Sequence, residues 1–252
     1  MTRIILCGCC GKMGQNVIDS AALRNDIEIV AGVDVADNDS LHFPVFHNFD
    51  EISVKADVII DFSNVSILDS LLNYACKSST PLVLATTGLS EDQINSVKKA
   101  AESIPLFFTY NMSLGINLIC ELSKKAAKVL GNSFDIEIVE AHHNRKLDAP
   151  SGTALMLADT IKEMLPDSYY EYDRHSKREK RSENEIGIHS IRGGNIVGEH
   201  EVIFAGENEI IKISHSARSR AVFAEGAINA AVYLKNQKSG LYDMAALLAD
   251  AD

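Results

Sequence analysis

Blocks of apolar and polar residues alternate along the first 110 residues, and each block has the length of a strand or a helix. Short apolar runs predict strands buried on both faces; they lie at residues 3–7, 27–35, 56–62, 81–86 and 105–109. Apolar residues at helical spacing predict helices between them; these lie at residues 12–24, 66–77 and 91–103. Strands that alternate with helices are typical of a parallel sheet with right-handed crossovers.

The pattern changes after about residue 113. The later predictions are a helix at 115–130, a strand at 134–140, a helix at 152–164, three strands within 186–215 and a helix at 222–235. A turn-like segment at 205–208 separates two of these strands and predicts a hairpin, which favours a mixed or antiparallel sheet. We therefore predict an α/β fold, with one domain at 1–113 and 221–252 and a second, α+β domain at 114–220.

A glycine-rich loop follows the first predicted strand and opens the first predicted helix. Gly8, Gly11 and Gly14 are spaced G-x-x-G-x-x-G, rather than G-x-G-x-x-G, the fingerprint of dinucleotide-binding proteins. Asp34 ends the second strand 20 residues after Gly14, where an acid would bind an adenosine ribose. Backbone N–H groups at a helix start suit a pyrophosphate. An ordinary strand–helix turn is the alternative.

The same segment bears on the choice of coenzyme and on metals. Asp34 would repel a 2′-phosphate and Val35 supplies no cation, so the chemistry favours NADH, although Lys12 leaves NADPH open. Three of the five cysteines lie around the loop, and two of them are adjacent, Cys9 and Cys10. Adjacent cysteines are expected to point apart, and the spacing is not C-x-x-C, so we expect no metal site.

The segment from Glu140 to Ala154 reads EAHHNRKLDAPSGTA and is the most informative of the chain. Ser151 is a good N-cap, so the N–H groups that follow it would lie at a helix start and suit an anion. Four potentially cationic side chains precede this helix: His142, His143, Arg145 and Lys146. Together these groups suit a substrate with carboxylates. A polar loop whose histidines only hydrogen-bond the backbone is the alternative.

Composition narrows the class of partner. Asp and Glu number 35 against 24 Lys and Arg, and the formal net charge of −11 disfavours binding to nucleic acid. No apolar run reaches the ~18 residues of a membrane helix. With five cysteines and no secretory leader, we expect a reduced, cytoplasmic protein. The basic stretch from Arg174 to Arg181 is interpreted as a solvated loop or helix end, with a substrate-steering rim as the alternative.

Taken together, these motifs closely resemble the 4-hydroxy-tetrahydrodipicolinate reductase (dihydrodipicolinate reductase) family of bacterial lysine and diaminopimelate synthesis. The most specific match is the segment from Glu140 to Ala154, which is similar to the family's E-x-H-H-x-x-K-x-D-A-P-S-G-T-A. The resemblance is essentially full-length and includes the loop from Gly8 to Gly14, Asp61-Phe62-Ser63, Thr86-Thr87-Gly88, Asn111-Met112-Ser113-Leu114-Gly115, Arg192-Gly193-Gly194, Gly198-Glu199-His200 and Ser219-Arg220.

The resemblance implies an N-terminal Rossmann-like dinucleotide-binding domain and a C-terminal domain that binds the substrate and forms homotetramers. It implies that His142 is the catalytic acid or base and that Lys146 donates a proton. The groups implied to hold the substrate's carboxylates are His143, Gly152 and Thr153. The positions implied to bind NADH or NADPH are Gly8, Cys9, Cys10, Gly11, Lys12 and Met13 at the pyrophosphate, Asp34 at the adenosine ribose, and Ala85, Thr86, Thr87, Thr109, Tyr110, Asn111 and Met112 at the nicotinamide.

The chain departs from the family's pattern at a few positions around the coenzyme. Cys9 stands where the family usually has Ala, Lys12 where Arg is common, Ala85 where Gly is usual and Met112 where Phe is frequent. Val35 replaces an Arg that some members carry beside the acid. These departures bear on the coenzyme preference rather than on the reaction.

The predicted function is the NAD(P)H-dependent reduction of a small cyclic imine dicarboxylate, 4-hydroxy-tetrahydrodipicolinate (dihydrodipicolinate), to tetrahydrodipicolinate. Two alternatives explain part of the pattern. A non-catalytic nucleotide-binding module, such as a redox sensor, accounts for the glycine loop but not for the histidine–lysine segment. Another two-domain NAD(P)-dependent dehydrogenase, acting on an amino or keto acid, is the second.

Overall fold

The structure is a computed structural model that describes residues 1–38 and 40–250. Its strands are β1 (Thr2–Cys7), β2 (Ile27–Val33), β3 (Val45–Phe46), β4 (Val58–Asp61), β5 (Leu82–Leu84), β6 (Pro105–Phe108), β7 (Asp135–His142), β8 (Tyr169–Glu171), β9 (Glu185–Arg192), β10 (Gly198–Ala205), β11 (Ile210–Ala217) and β12 (Gly240–Tyr242). Its α-helices are α1 (Lys12–Ala22), α2 (Leu68–Ser78), α3 (Glu91–Ala101), α4 (Leu114–Leu130), α5 (Gly152–Lys162), α6 (Ala221–Leu234) and α7 (Met244–Ala249).

The chain forms two compact units. The first comprises Met1–Leu114 and the chain from Arg220 onward, and the second comprises Gly115–Ser219. The first unit therefore contains α6, the Ala-rich helix near the end of the chain, which packs against α1 and against the parallel strands.

The first unit is built on a seven-stranded parallel sheet in the order β12-β6-β5-β4-β1-β2-β3. Side chains alternate along each strand, so β1 buries Ile4 and Leu6 in one core and Ile5 and Cys7 in another. Helices α1 and α6 cover the first of these cores, and α2 and α3 cover the second. Burial on both faces explains why the strands are short, continuous apolar runs, as the sequence predicted.

The order of the strands places a crevice at one edge of this sheet. On one side of the sheet, β2 and β3 follow β1 in order. On the other side, β4 lies next to β1 and is followed by β5 and β6. The switch lies between β1 and β4, and ligands of doubly wound sheets bind outside the carboxyl ends of the strands at such a point. The glycine-rich loop follows β1 at this position.

The second unit contains a five-stranded mixed sheet in the order β11-β10-β7-β9-β8. Strand β7 is parallel to β9 and antiparallel to β10, and β10 and β11 form the predicted hairpin. The hairpin turn closes with a hydrogen bond of 2.9 Å from the Gly206 N–H to the Glu209 carbonyl. Helices α4 and α5 pack on one face of the sheet, where Ile138 and Phe204 are fully buried.

Elements of a few residues were not predicted from the sequence. These are β3, β8, β12 and α7, each of two to six residues, too short to show a hydrophobic period. Strand β8 lies just before the basic stretch from Arg174 to Arg181. Within the described residues, no helix has both the length and the apolar character that crossing a membrane requires.

Candidate active site

The glycine-rich loop is shaped by backbone contacts that leave no room for side chains. Gly8 has φ +77°, in the left-handed region that glycine adopts without strain. A Cβ atom on Gly14 would lie 2.2 Å from the Gly8 carbonyl oxygen, so α1 must start close under the loop. Gly11 is the N-cap of α1 and makes no side-chain capping bond. The first N–H groups of the helix are therefore not capped by a side chain at Gly11, as a pyrophosphate site requires.

Asp34 joins the end of β2 to this loop. Its carboxylate accepts hydrogen bonds from the N–H of Cys10 at 2.9 Å and from the N–H of Ala36 at 3.1 Å. Asp34 also lines a cavity of about 610 Å³, together with Gly8, Gly11 and Val35. A carboxylate oxygen has two lone pairs, so each oxygen can still accept a further hydrogen bond from a ligand hydroxyl.

His47 lines the same cavity and was not identified from the sequence. Its Nδ1 lies 3.0 Å from the Asp34 carbonyl oxygen and its Nε2 lies 3.2 Å from Oδ1 of Asp37. Both neighbours are hydrogen-bond acceptors, so they favour the ring with a proton on each nitrogen. The hydrogen bond to Asp34 and the charge of Asp37 accordingly raise the pKa of His47. The short strand β3, paired with β2, brings His47 beside Asp34, and its two residues leave no signal in the sequence.

A second cavity of about 360 Å³ lies at the carboxyl ends of β4, β5 and β6 in the same unit. It is lined by all seven residues that the resemblance implied for the nicotinamide, Ala85, Thr86, Thr87, Thr109, Tyr110, Asn111 and Met112, and by Met13. It shares Phe62 and Ser63 with the larger cavity. The two cavities are therefore neighbours that meet at Phe62 and Ser63.

The buried carboxylate of Asp61 positions two residues that line the cavities. Its side chain is 1% exposed and accepts hydrogen bonds of 2.5 Å from the Ser63 hydroxyl and from the Thr86 hydroxyl. Burial raises the pKa of Asp61, although these hydrogen bonds oppose the increase. Asp61 was noted in the sequence only as part of a motif, and the structure shows it positioning two residues of the cavity lining.

The structure corrects the expectation for the adjacent cysteines. The Sγ atoms of Cys9 and Cys10 lie 3.9 Å apart rather than pointing away from each other. The reason is that Gly8, Cys9 and Cys10 form a turn, so the alternation of side chains along a strand does not apply. Cys9, Cys10 and Lys12 are also not among the described residues that line the two cavities. Cys9 instead lies buried beneath the loop.

In the second unit, the fully buried carboxylate of Glu140 organises the histidine–lysine segment. Its Oε2 accepts from Nδ1 of His142 at 2.5 Å, and its Oε1 accepts from the N–H of Ser151 at 3.1 Å. Both oxygens also accept from the guanidinium of Arg192, at 2.8 and 2.7 Å. Burial by itself would raise the pKa of Glu140, but hydrogen bonds led by that from Arg192 lower it to about 2. One ionised carboxylate therefore fixes both the imidazole and the start of α5.

This contact also sets the tautomer of His142. A carboxylate only accepts, so Nδ1 of His142 carries a proton and Nε2 is left as the position that exchanges one. A Cβ atom on Gly198 would lie 3.2 Å from that Nε2, so the glycine keeps space open beside it. His142 is thus held by one nitrogen, and the other remains to exchange a proton, which suits a general acid or base.

His200 is a further member of this cluster that the sequence showed only within a motif. Its ring packs against that of His142 at 5.2 Å between centroids, and its Nε2 lies 3.1 Å from Oγ of Ser151. Ser151 in turn caps α5 by accepting from the N–H of Ala154. Burial, followed by the charge of His142, lowers the pKa of His200 to about 4. His200 is therefore neutral at neutral pH and adds no charge to the cluster.

The remaining predicted substrate groups lie along the same loop. Lys146 pairs through Nζ with Asp148 at 2.8 Å and donates its backbone N–H to the His143 carbonyl. His143 keeps a buried Nδ1 without a hydrogen-bond partner among the described residues. Gly152 and Thr153 form the first turn of α5 directly after Ser151.

The basic stretch is a largely exposed loop with one short 3₁₀ turn, in line with the first interpretation, but three of its cations are paired with acids. Arg181 contacts Asp135 at 2.8 Å and Glu137 at 3.0 Å, and Arg174 contacts Glu185 at 3.2 Å. Lys177 pairs with Glu171. These cations are therefore engaged with acids of the second unit's own strands and hold the segment against the sheet.

A glycine loop at the switch point of a doubly wound sheet, joined to a mixed-sheet unit with a buried carboxylate–histidine pair, defines a two-domain nucleotide-dependent oxidoreductase. Family models for the N-terminal and C-terminal parts of dihydrodipicolinate reductase match residues 2–112 and 115–248. The chain belongs to the dihydrodipicolinate reductase family.

Curated relatives agree over nearly the whole chain. A 4-hydroxy-tetrahydrodipicolinate reductase of Clostridium tetani is 52% identical over 98% of this chain and 97% of the relative. A protein of the same name from Caldanaerobacter subterraneus subsp. tengcongensis is 54% identical over 97% of each chain. The activity is therefore the reduction of 4-hydroxy-tetrahydrodipicolinate with NAD(P)H, in lysine and diaminopimelate biosynthesis. The sensor and the amino- or keto-acid dehydrogenase are set aside.

Solved structures support the same fold. A dipicolinate-bound dihydrodipicolinate reductase from Paenisporosarcina sp. TG-14 superimposes with a TM-score of 0.82 at 26% identity, covering 96% of this chain and 97% of that chain. A probable dehydrogenase from Thermotoga maritima gives a TM-score of 0.61 at 13% identity, covering 98% of this chain and 93% of that chain, and shares the fold alone.

Proposed function

We propose that the second unit binds the substrate and supplies the proton, with His142 as acid or base, Lys146 as proton donor, and His143, Gly152 and Thr153 as the carboxylate-binding groups. The observation that carries this proposal is the double contact of buried Glu140, to Nδ1 of His142 and to the N–H of Ser151. Glu140 thus fixes both the imidazole that would transfer the proton and the helix start that would bind an anion. Their separation is thereby set before the substrate arrives.

Protonation by these residues needs no large rearrangement. Nδ1 of His142 stays bonded to Glu140, so a proton leaves or enters at Nε2. Lys146 now pairs with Asp148, and a substrate carboxylate can replace Asp148 as its partner because both are anions of the same kind. The cationic side chains neutralise the substrate's charge within a protein of net charge −11.

The first unit is proposed to bind the coenzyme. The uncapped start of α1 and the close-packed glycines from Gly8 to Gly14 suit the pyrophosphate, with Cys9, Cys10, Lys12 and Met13 contributing backbone. Asp34 would accept from the adenosine ribose. The lining of the smaller cavity, from Ala85 to Thr87 and from Thr109 to Met112, would enclose the nicotinamide. When bound, NAD(P)H supplies the hydride, which the side chains of the protein cannot do.

We also propose that NADH is preferred while NADPH remains usable. The carboxylate of Asp34 disfavours a 2′-phosphate, and the neighbouring Val35 is 90% exposed and uncharged. His47 lines the same cavity beside Asp34, and its pKa is raised. In its protonated form the ring would attract a phosphate and partly offset the repulsion by Asp34.

The proposed oligomer is a homotetramer formed through the second unit, in a cytoplasmic protein. Side chains alternate along a strand, so the sheet face opposite α4 and α5 carries Val139 and Ile191, and Ile191 is 51% exposed. Strand β11 forms an edge of this sheet, and uncovered edges favour pairing between chains. All five cysteines are free, as in a reducing compartment. Sedimentation of the wild type and of Ile191→Asp tests this: a tetramer that dissociates supports it, and a monomeric wild type contradicts it.

Replacement of the two proposed proton-transfer residues tests the catalytic assignment. His142→Gln and Lys146→Met are each expected to lower kcat about 100-fold or more, the usual contribution of acid–base catalysis. NADH affinity, measured by its fluorescence on binding, should stay unchanged. Lys125→Met, which removes an exposed lysine of α4 in the same unit, is the matched control and should keep full activity. Full activity in either test variant would show that the assignment is wrong.

A further inference from the structure

The thiols of Cys9 and Cys10, which the reduction reaction does not use, form a cluster with the carboxylate of Asp34. The two Sγ atoms are 3.9 Å apart, and one ligand atom from each of the three residues lies within 4.8 Å of the others. The backbone reinforces the cluster, because the N–H of Cys10 donates to Asp34 at 2.9 Å. Three potential metal ligands from two segments of the chain are thus already in place.

The spacing matches the coordination shell of a thiophilic cation. Two Zn–S bonds of about 2.3 Å at the tetrahedral angle place their sulfur atoms about 3.8 Å apart. The 3.9 Å between Cys9 and Cys10 is close to this value. A carboxylate oxygen of Asp34 supplies the third ligand, and the fourth position stays open to water, as in zinc sites with three protein ligands.

The surroundings leave room for the thiol that is buried. A Cβ atom on Gly32 would lie only 2.4 Å from Sγ of Cys9, so the glycine of β2 creates the space that this sulfur occupies. Cys10 is partly exposed and provides access for an ion. Its thiol donates to the Ala36 carbonyl at 3.3 Å, a weak bond that coordination would replace.

The local charge also favours a cation. The charged side chains that act on the Cys10 thiol are those of Asp34 and Asp37, both acidic.

We propose that Cys9, Cys10 and Asp34 bind a divalent thiophilic cation, Zn²⁺ or Cd²⁺, and that this cation excludes the coenzyme. Both thiols release their protons to water and form metal–sulfur bonds, and Asp34 exchanges a hydrogen bond for a metal–oxygen bond, without any change of oxidation state. This proposal departs from the sequence expectation of no metal site. The claim that the cation excludes the coenzyme rests on the proposed function of Asp34, because a carboxylate bound to the metal is no longer available to the ribose.

Titration of the reduced, full-length protein with Cd²⁺ tests the site directly. The thiolate-to-cadmium charge-transfer band in the ultraviolet should rise to one ion per chain. Cys10→Ser and Cys9→Ser should each weaken Cd²⁺ binding by at least about tenfold, since even the loss of a group that only supports a ligand costs that much. Cys76→Ser, which removes a partly exposed cysteine of α2, is the matched control and should bind Cd²⁺ like the wild type. A band that persists in Cys10→Ser, or that is lost in Cys76→Ser, overturns the proposal.

A second titration measures the competition between Cd²⁺ and NADH. The apparent Kd for Cd²⁺ should rise in proportion to the NADH concentration, and Asp34→Asn should weaken the binding of both ligands. If NADH binds to the wild type but leaves the Cd²⁺ affinity unchanged, the exclusion is wrong. If NADH does not bind, the coenzyme assignment fails while the Cd²⁺ titration alone still decides the metal site. Circular dichroism shows whether Cys9→Ser, at a buried position, remains folded, and Cys10→Ser decides the outcome if it does not.

Discussion

The loop after β1 and the loop after β7 both connect a buried strand to a helix, but they are built by different physical means. The first is shaped by the backbone: Gly8 and Gly14 pack so closely that a side chain has no space, and the N-cap Gly11 adds no side-chain bond. The second is shaped by side chains, with Glu140 holding His142 and the helix start. We therefore expect the first loop to be sensitive to added volume and the second to a change of charge.

The largest expected effect is at Glu140, because it removes the charge on which the second loop depends. Glu140→Gln removes the charge of a fully buried carboxylate that pairs with the partly exposed guanidinium of Arg192, which should lower the free energy of unfolding by about 2 kcal/mol. It should also lower kcat, since His142 loses its ionised partner. Urea unfolding and steady-state kinetics measure the two effects.

Glu163→Gln is the matched control for this prediction. Glu163 pairs with Lys124 at 2.5 Å, but its side chain is 58% exposed, and exposed pairs contribute about 1 kcal/mol or less. Equal losses in the two variants would mean that burial of Glu140 is not what makes its charge important.

The next largest effect on stability is expected from adding a methyl group in the first loop. Gly14→Ala places a methyl group against the Gly8 and Cys9 carbonyl oxygens, which should cost about 2 kcal/mol of stability and raise the KM for the coenzyme. Gly152→Ala is the counterpart at the second loop, where the added methyl group meets no atom within 4 Å. Its stability should remain that of the wild type, and thermal unfolding compares the two. Similar losses would remove the proposed contrast between the loops.

A smaller effect, a loss of stability at low pH, is expected from His200, which contacts Ser151 of the second loop. The pKa of His200 is about 4 in the folded protein, below the ordinary value of about 6.5. The unfolded chain therefore binds more protons as the pH falls below about 6.5, so His200 costs the folded state about 1 kcal/mol at a pH of about 5.5 and nothing above about 7.5.

His200→Gln should lack this part of the acid-induced loss, whereas His42→Gln, at an exposed position of the first unit, should retain it. Urea unfolding of the three proteins at the two pH values measures the difference. An unchanged pH dependence in His200→Gln would contradict the assignment of a neutral, buried ring.

The smallest effect is expected at His47. His47→Gln keeps a side chain that donates and accepts hydrogen bonds but cannot be protonated, and exposed charges interact only weakly. The kcat/KM for NADPH should therefore fall about threefold, while that for NADH stays constant. A parallel fall with both coenzymes would show that His47 supports the pocket without acting on the 2′-phosphate.

The sequence alone determined the elements and both loops, because their signals are local. Buried strands produce apolar runs, helices produce a regular period, and Gly8, Asp34 and the segment from Glu140 to Ala154 could be placed at strand ends from their position in the chain. The order of motifs was specific enough to indicate the family. Strands as short as β3 and β8 were missed, because two or three residues cannot display a period.

Only the tertiary structure decided which of these groups act together. Arg192 lies 52 residues from Glu140 and becomes its partner through the pairing of β7 with β9. His47 reaches Asp34 through β3, and a turn brings Cys9 and Cys10 together against the expectation for adjacent residues. The physical reason is common to all three. Hydrogen bonds and charges act between groups that are close in space, and the register of a sheet or the path of a turn, rather than distance along the chain, sets that proximity.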